Sequence, residues 1–366
     1  MNSTLTEQSP TTAADAPPAR RRLVGVLVWA CWAIMTAAAL GYVARYGTNV
    51  PSWDDWDMVP TMTGHQPVTS GWLWSQHNEH RVPVPRLLML ALFRVLGNDF
   101  RVLMVANVAM MSGLAAALMV VARRLRGGRA NLTDAFFPLL LLNWAQGLNF
   151  VWGWQVEFYV STLLAGVVLL LVATMGPRLT VARAALITGV LWLLMMCGAH
   201  GVVLLPAMGS WLGLMAILRW FEQRGRPAEN LPTGGGIGDL ARGFAGPGAR
   251  GERVAKPQTT TDTAGHVQDS LGRAGRGPNR REALVIALLA LSVFVAAGLY
   301  FIGYEQVPYH PKGSGRRAQA RTALQFLTMS FGRSVQPAWP VSGWLAMALF
   351  VATVVMLLYL VWKRPT

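Results

Sequence analysis

The chain is poor in cysteine, poor in acids and poor in charge of either sign. Its two cysteines, Cys31 and Cys197, each lie inside an apolar block. That placement excludes a disulfide framework and a thiolate metal centre, and it leaves the redox compartment undetermined. Charged residues make up 13% of the 366, against roughly 25% in a soluble domain, so an ordinary soluble enzyme is excluded. Acids are the scarcer sign, with 17 Asp and Glu against 32 Lys and Arg and a net charge of +15. An excess of that size normally raises nucleic acid, whose phosphates collect clustered Lys and Arg. Here topology accounts for it, and no nucleic-acid partner is expected.

What the chain does have is apolar length. Hydrophobic residues are 53% of the total, the mean hydropathy is +0.37, and the apolar residues come in blocks of roughly 20, the span of a bilayer's hydrocarbon core. Blocks fall at 23–43, 102–122, 134–149, 157–175, 184–199, 201–218, 283–303 and 341–362. The predicted fold is therefore all-α, a polytopic transmembrane helical bundle of about eight spans. Arg20, Arg21 and Arg22 lead into the first block, which is too long for a signal-peptide core and is read as an uncleaved helix. Arg-rich connections then alternate along the chain, at 123–129, 178–183, 219–226 and 363–364. With positive charge retained inside, this scheme puts 22 of the 32 basic residues in the cytoplasm, along with both termini.

Two segments stand apart in composition. Residues 1–22 are read as a disordered cytoplasmic tail, leaving 23–224 as the transmembrane core and 283–366 as a C-terminal transmembrane pair. Residues 225–282, rich in Gly, Pro, Arg and Thr, hold too little apolar material to offset the entropy of ordering. They read as a disordered basic cytoplasmic insertion with weak attraction to anionic lipid. No GxxxxGK[ST] loop accompanies their glycines.

Chemistry gathers in the first external loop, 46–101. Asp54, Asp55 and Asp57 stand between and beside Trp53 and Trp56, and His77, Glu79, His80 and Arg81 follow some twenty residues later. A carboxylate beside like charges and lipid has a raised proton affinity, as a general base requires, and Asp55 is the first choice for that role. His77, Glu79 and His80 are substrate contacts or, if the segment is helical, ligands for a divalent metal. Arg81 and Arg86 suit phosphate. From Arg86 to Leu96, paired apolar residues at three- to four-residue spacing predict a short amphipathic helix lying in the outer headgroup plane. Glu157 opens an apolar span and needs water or a partner. His200, between glycines, reads as structural. The last external loop, 304–340, carries Lys312, Arg316 and Arg317 against the charge rule for that side, which points to an anionic partner.

Three features together resemble the GT-C class of polytopic membrane glycosyltransferases, which use polyprenyl-phosphate sugars. They are the cytoplasmic N-terminus, the acidic string Trp53–Asp54–Asp55–Trp56–Asp57 just beyond the first span, and the amphipathic helix before the second. The string Gln76–His77–Asn78–Glu79–His80–Arg81 with Pro85–Arg86 is similar to that of many bacterial membrane proteins placed near this class. The resemblance covers about 46–210 and implies a bacterial inner-membrane enzyme. It would move a hexose or pentose, with inversion, from a polyprenyl-phosphate donor to a hydroxyl of a glycan, lipid or protein acceptor at the outer face. It further implies a catalytic base among Asp54, Asp55 and Asp57, assistance from Glu157, and a donor phosphate held by Lys312, Arg316 and Arg317. A lipid-linked glycan flippase or other transporter, and a non-catalytic cell-envelope assembly partner, are the alternatives.

Overall fold

A computed structural model describes residues 18–176, 178–222, 280–305, 307, 315–328 and 337–362. Most of the tail 1–22, nearly all of the insertion 225–282, and Lys312 lie outside the described residues. Among those described, five helices are long and apolar enough to cross a membrane, so the protein is an all-helical membrane protein whose strand content is one two-stranded ladder.

The chain divides into two compact units. The first contains Met1–Thr174, Leu193–Gly201 and Tyr300–Thr366. It opens with α1 (Pro18–Tyr46), which already includes the arginines expected in the tail; Pro18 suits a first helical position because its missing N–H has no partner there anyway. The loop that follows holds a 3-10 turn (Trp53–Met58) and the single turns α2 (Val59–Met62) and α3 (Ser70–Trp74). A hairpin comes next, β1 (Gln76–His77) and β2 (His80–Arg81), and then α4 (Pro83–Val95). The 25-residue α5 (Arg101–Leu125) returns across the unit beside α1. Trp32 Nε1 donates to Ser112 O at 3.0 Å and the Thr36 and Ser112 hydroxyls meet at 2.8 Å, so polar atoms of these two apolar helices satisfy each other.

The third apolar block, predicted as one span over 134–149, is instead a broken ascent: a 3-10 turn (Leu132–Ala135), α6 (Phe136–Leu141), a second 3-10 turn (Trp144–Gln146) and α7 (Gly147–Phe150). Arg126 and the buried Asp134 pair at 2.5 Å and pin its start. The break follows from two residues. Asn143 Nδ2 turns back to donate to Leu140 O at 2.6 Å, occupying a carbonyl that a continuing helix would use. Gly147 lets the backbone approach Tyr42, whose ring atoms lie 3.1 Å from where a Cβ would stand. A further 3-10 turn (Gly153–Gln155) then leads into α8 (Val156–Ala173). The core between α1, α5 and α8 contains Ala39, Val43, Met104, Val108, Met111, Leu114, Phe150 and Tyr159.

Helix α4 is amphipathic as predicted, though it begins at Pro83: one stripe packs inward, and the stripe expected to face lipid stays on the surface. Arg86, Met89, Leu90 and Phe93 are buried, packed with Met58, Phe100, Leu103 and Trp154, whereas Leu87 and Val95, expected on the anchoring face, are exposed. The helix carries two apolar stripes, and tertiary packing takes the one with the larger side chains.

The second unit contains Met175–Trp192 and Val202–Leu299, with most of α9 (Val181–Met195), α10 (Ala199–Glu222) and α11 (Arg280–Tyr300). Gly209 faces the Phe294 ring, 2.9 Å from a would-be Cβ. Arg219 donates to Leu179 O and pairs with Glu282. In the first unit, the basic loop predicted over 304–340 contains a helix, α12 (Arg316–Thr328), packed on α13 (Trp339–Trp362). Ser342 Oγ donates to Thr328 Oγ1 at 3.3 Å between them.

The closest approach of α5 and α8 sets a test of the first unit. A Cβ on Gly166 would stand 2.4 Å from Leu114 Cδ1, so Gly166→Val overpacks this contact and lowers stability by about 1–3 kcal/mol. Thermal melts in detergent check it: adding Leu114→Ala recovers most of the loss, and no recovery would place the strain elsewhere.

Candidate functional site

The site is built by the loop after α1, over 46–101, the turn before α8, and the chain at 196–201 and 300–305, all within the first unit. The loop is held by its arginines. Arg86 Nη1 donates to Trp72 O at 2.5 Å and to Ser75 O and Oγ at 2.9 Å, and its guanidinium lies over the Trp72 ring. Arg81 donates to Trp74 O at 2.7 Å, Ile302 O at 2.9 Å and Gly303 O at 2.8 Å. A cation at the C-terminal end of α3 suits the carbonyls exposed there, so both side chains act as clamps on backbone. Burial pushes the Arg86 guanidinium below its usual value, against the opposing pull of Asp57 and Glu157. Gln76 exchanges two hydrogen bonds with the Glu305 backbone, at 2.6 and 3.1 Å.

The hairpin orders the histidines. Asn78 takes a positive φ of 49° at the turn, a conformation Asn tolerates well, with Glu79 beside it. In this register His77 pairs with His80, and directly opposed residues of an antiparallel pair project from the same face. The predicted ligand set His77, Glu79 and His80 nevertheless does not converge among the described residues, because His77 turns to Asp54 and Asp57 and His80 to Glu157 and His200.

His77 joins the acids. Its Nδ1 is 2.8 Å from Asp57 Oδ2 and its Nε2 is 4.0 Å from Asp54 Oδ2. Asn78 Nδ2 lies 3.2 Å from Nε2, consistent with an imidazole that donates from Nδ1 to Asp57. The His77 ring packs on Trp154 at 4.3 Å. Trp154 Nε1 in turn donates to Glu157 Oε2 at 3.0 Å.

The three aspartates part company. Asp54 and Asp57 are exposed, at 38% and 60% of their side chains, flanked by the exposed rings of Trp53 and Trp56. Asp55 is fully buried. Its Oδ2 accepts from Ser52 N–H at 3.0 Å, capping its own 3-10 turn, and its Oδ1, without a hydrogen-bond partner, packs beside Gly153, 3.0 Å from where a Cβ would stand. Burial pushes its carboxyl up to about 6, while the amides of Ser52, Trp154 and Gly153 act against that and the Asp54 charge adds to it.

Glu157 is 1% exposed and sits with His80 and His200, ligating atoms within 4.8 Å of one another. His200, read as structural from the sequence, is brought there by its neighbours. Gly198 has a φ of +131°, and a Cβ on it would meet His200 Cε1 at 2.8 Å and Glu157 Oε1 at 2.9 Å. A Cβ on Gly201 would fall 2.0 Å from the Leu194 carbonyl. The two glycines were the available sequence signal, since paired glycines around one polar residue mark a close backbone approach. Burial pushes His80 below its usual value, with the His77 charge adding to it.

Arg316 and Arg317 stand exposed on the first turn of α12, and no hydrogen bond or ion pair among the described residues ties them to the acids or histidines. No family model, no curated protein and no solved structure matches the chain.

Asp55 generates a pH test. Its folded carboxyl binds its proton more tightly than an ordinary one of 3.8, so the stability it confers is complete below about pH 4 and is lost as pH rises through 6, on the order of 3 kcal/mol. Asp55→Asn keeps an acceptor for Ser52 and carries no charge. Melts at pH 4.5 and 7 will show the variant gaining on the wild type at the higher pH; an equal difference at both would refute this assignment.

Proposed function

We propose that the protein is a membrane glycosyltransferase, moving a sugar from a polyprenyl-phosphate donor to an acceptor hydroxyl at the outer face, with both termini cytoplasmic. The observation that carries this reading is the Asp57–His77 pair at 2.8 Å, open to solvent on the aspartate side and backed by Trp154 and Glu157. Asp57 replaces Asp55 as the base, because a group removed from solvent cannot reach an incoming hydroxyl. Hydrogen bonding to His77 occupies one Asp57 oxygen and leaves the other for the acceptor. The acceptor proton passes to Asp57, and the acceptor oxygen displaces the lipid phosphate at the anomeric carbon. That phosphate leaves as a stable anion, so the chemistry asks little of an acid. Asp54, on the far side of His77, favours an imidazolium whenever the proton moves on to the ring.

The exposed rings of Trp53 and Trp56 beside the base offer flat apolar surface to the CH faces of a sugar. The lipid phosphate falls to the cations of the late loop, Arg316 and Arg317 with Lys312. Charge placement separates this reading from transport: Glu157 and His200 lie in the first turns of α8 and α10, at the ends of apolar helices, whereas a translocation path asks for ionisable groups deep in the spans.

The test is transfer of radiolabelled sugar from a panel of polyprenyl-phosphate sugars by protein reconstituted in vesicles. Asp57→Asn lowers turnover by about 100-fold or more, the contribution of a positioned base, and Asp55→Asn leaves it within a few fold. Full turnover in the Asp57 variant would sink the assignment of the base, and no transfer from any donor by the wild type would sink the function.

A further inference from the structure

We propose that His80, Glu157 and His200 form a binding site for one divalent transition-metal ion, with zinc the best match. The argument rests on geometry and stands apart from the transferase reading. Two imidazoles and a carboxylate come from three distant points of the chain, the hairpin, the first turn of α8 and the first turn of α10, and their ligating atoms lie within 4.8 Å of one another. Around a four-coordinate zinc with bonds of about 2 Å, ligand atoms stand about 3.3 Å apart, so side-chain rotations of about an ångström close the set.

The second observation is what two of these groups lack. Glu157 Oε1 and His200 Nδ1 are both buried without a hydrogen-bond partner, and both flank the same spot beside Gly198, 2.9 and 3.0 Å from its would-be Cβ. Their other atoms are satisfied. Glu157 Oε2 accepts from Trp154 Nε1. Ser161 Oγ donates to Glu157 O at 2.7 Å, which leaves it to accept from His200 Nε2–H at 2.6 Å. That chain fixes the tautomer of His200 and leaves the Nδ1 lone pair bare. A bare lone pair and a bare carboxylate oxygen facing each other out of water are unfavourable unless a positive charge lies between them. Arg86 acts on Glu157 only from a distance: its Nη1 is engaged by the Trp72, Leu73 and Ser75 carbonyls, and the described residues hold no ion pair between it and Glu157. His80 offers the third imidazole; its Nδ1 takes only a long bond from Ala199 N–H at 3.3 Å.

Two imidazoles and one carboxylate are a ligand set that zinc accepts, and three protein ligands leave a fourth position open for water or a ligand oxygen. The contacts from Ser161 and Trp154 are the kind of outer partners that orient metal ligands.

The test uses full-length protein purified in detergent, stripped with EDTA and titrated with Zn²⁺, read by calorimetry and by the melting temperature. The wild type takes up one equivalent and melts higher. Glu157→Gln and His200→Ala each weaken binding at least tenfold, and His77→Ala leaves it unchanged. Because Glu157→Gln disturbs a buried contact, Co²⁺ added to the stripped wild type gives a reading free of folding effects: the intense visible bands of a four-coordinate ion are expected. No zinc uptake, uptake that survives both ligand variants, loss that follows His77 instead, or only the weak spectrum of a six-coordinate ion would each overturn the proposal. Absence of uptake would mean that Glu157 and His200 share a proton.

Discussion

A carboxylate buried in the first turn of a membrane-length helix is the constraint around which this end of the protein is arranged. Glu157 enters an apolar helix at its second residue, where lipid offers it nothing. Isolated, an ionised carboxylate in such a place is prohibitively expensive, so the surrounding chain has to come to it. Trp154 reaches one oxygen from the preceding turn, the hairpin brings His80, and the glycines at 198 and 201 let the backbone fold tightly enough to deliver His200. Asp55 is buried against the same helix start, beside Gly153. Two acids thus flank one tryptophan from opposite sides.

The loop after α1 is held together for a related reason. It has little regular structure, and short turns leave carbonyls without partners. Arg81 and Arg86 collect them, tying α3 to the hairpin, to α4 and to the chain after Tyr300. The Tyr300 hydroxyl accepts from Arg81 N–H at 3.0 Å, so the same few residues lock the loop to the end of α11. A guanidinium satisfies several carbonyls at once in a fixed plane, which a Lys ammonium cannot do.

Much of this was legible from sequence, and the failures have a common cause. Apolar blocks near 20 residues marked the long helices, and the crowding of Asp, Trp and His between 53 and 81 marked the site. The break in the third block was hidden because its composition is as apolar as its neighbours; only the backward turn of Asn143 and the approach of Gly147 to Tyr42 decide it. Arg81 and Arg86 read as phosphate ligands because a sequence shows a cation but not the carbonyls that fold around it. His200 was set aside because its partners, Glu157 and His80, are 43 and 120 residues away.

The sharpest separation of roles occurs within four residues. Asp54, Asp55 and Asp57 have the same chemistry and nearly the same place in the chain, yet the 3-10 turn that holds them points successive side chains about 120° apart. One carboxylate is thereby driven inward onto the start of α8, and Asp54 and Asp57, three residues apart, are left on one outward edge, where His77 meets both. An extended backbone would not have made this division: a strand would place Asp55 and Asp57 on the same face. Asp55 therefore serves the others, because its anchorage against Gly153 fixes the turn, and the turn fixes where Asp54 and Asp57 stand relative to His77 and Trp154. A change that loosened the buried acid would move the exposed pair without touching either.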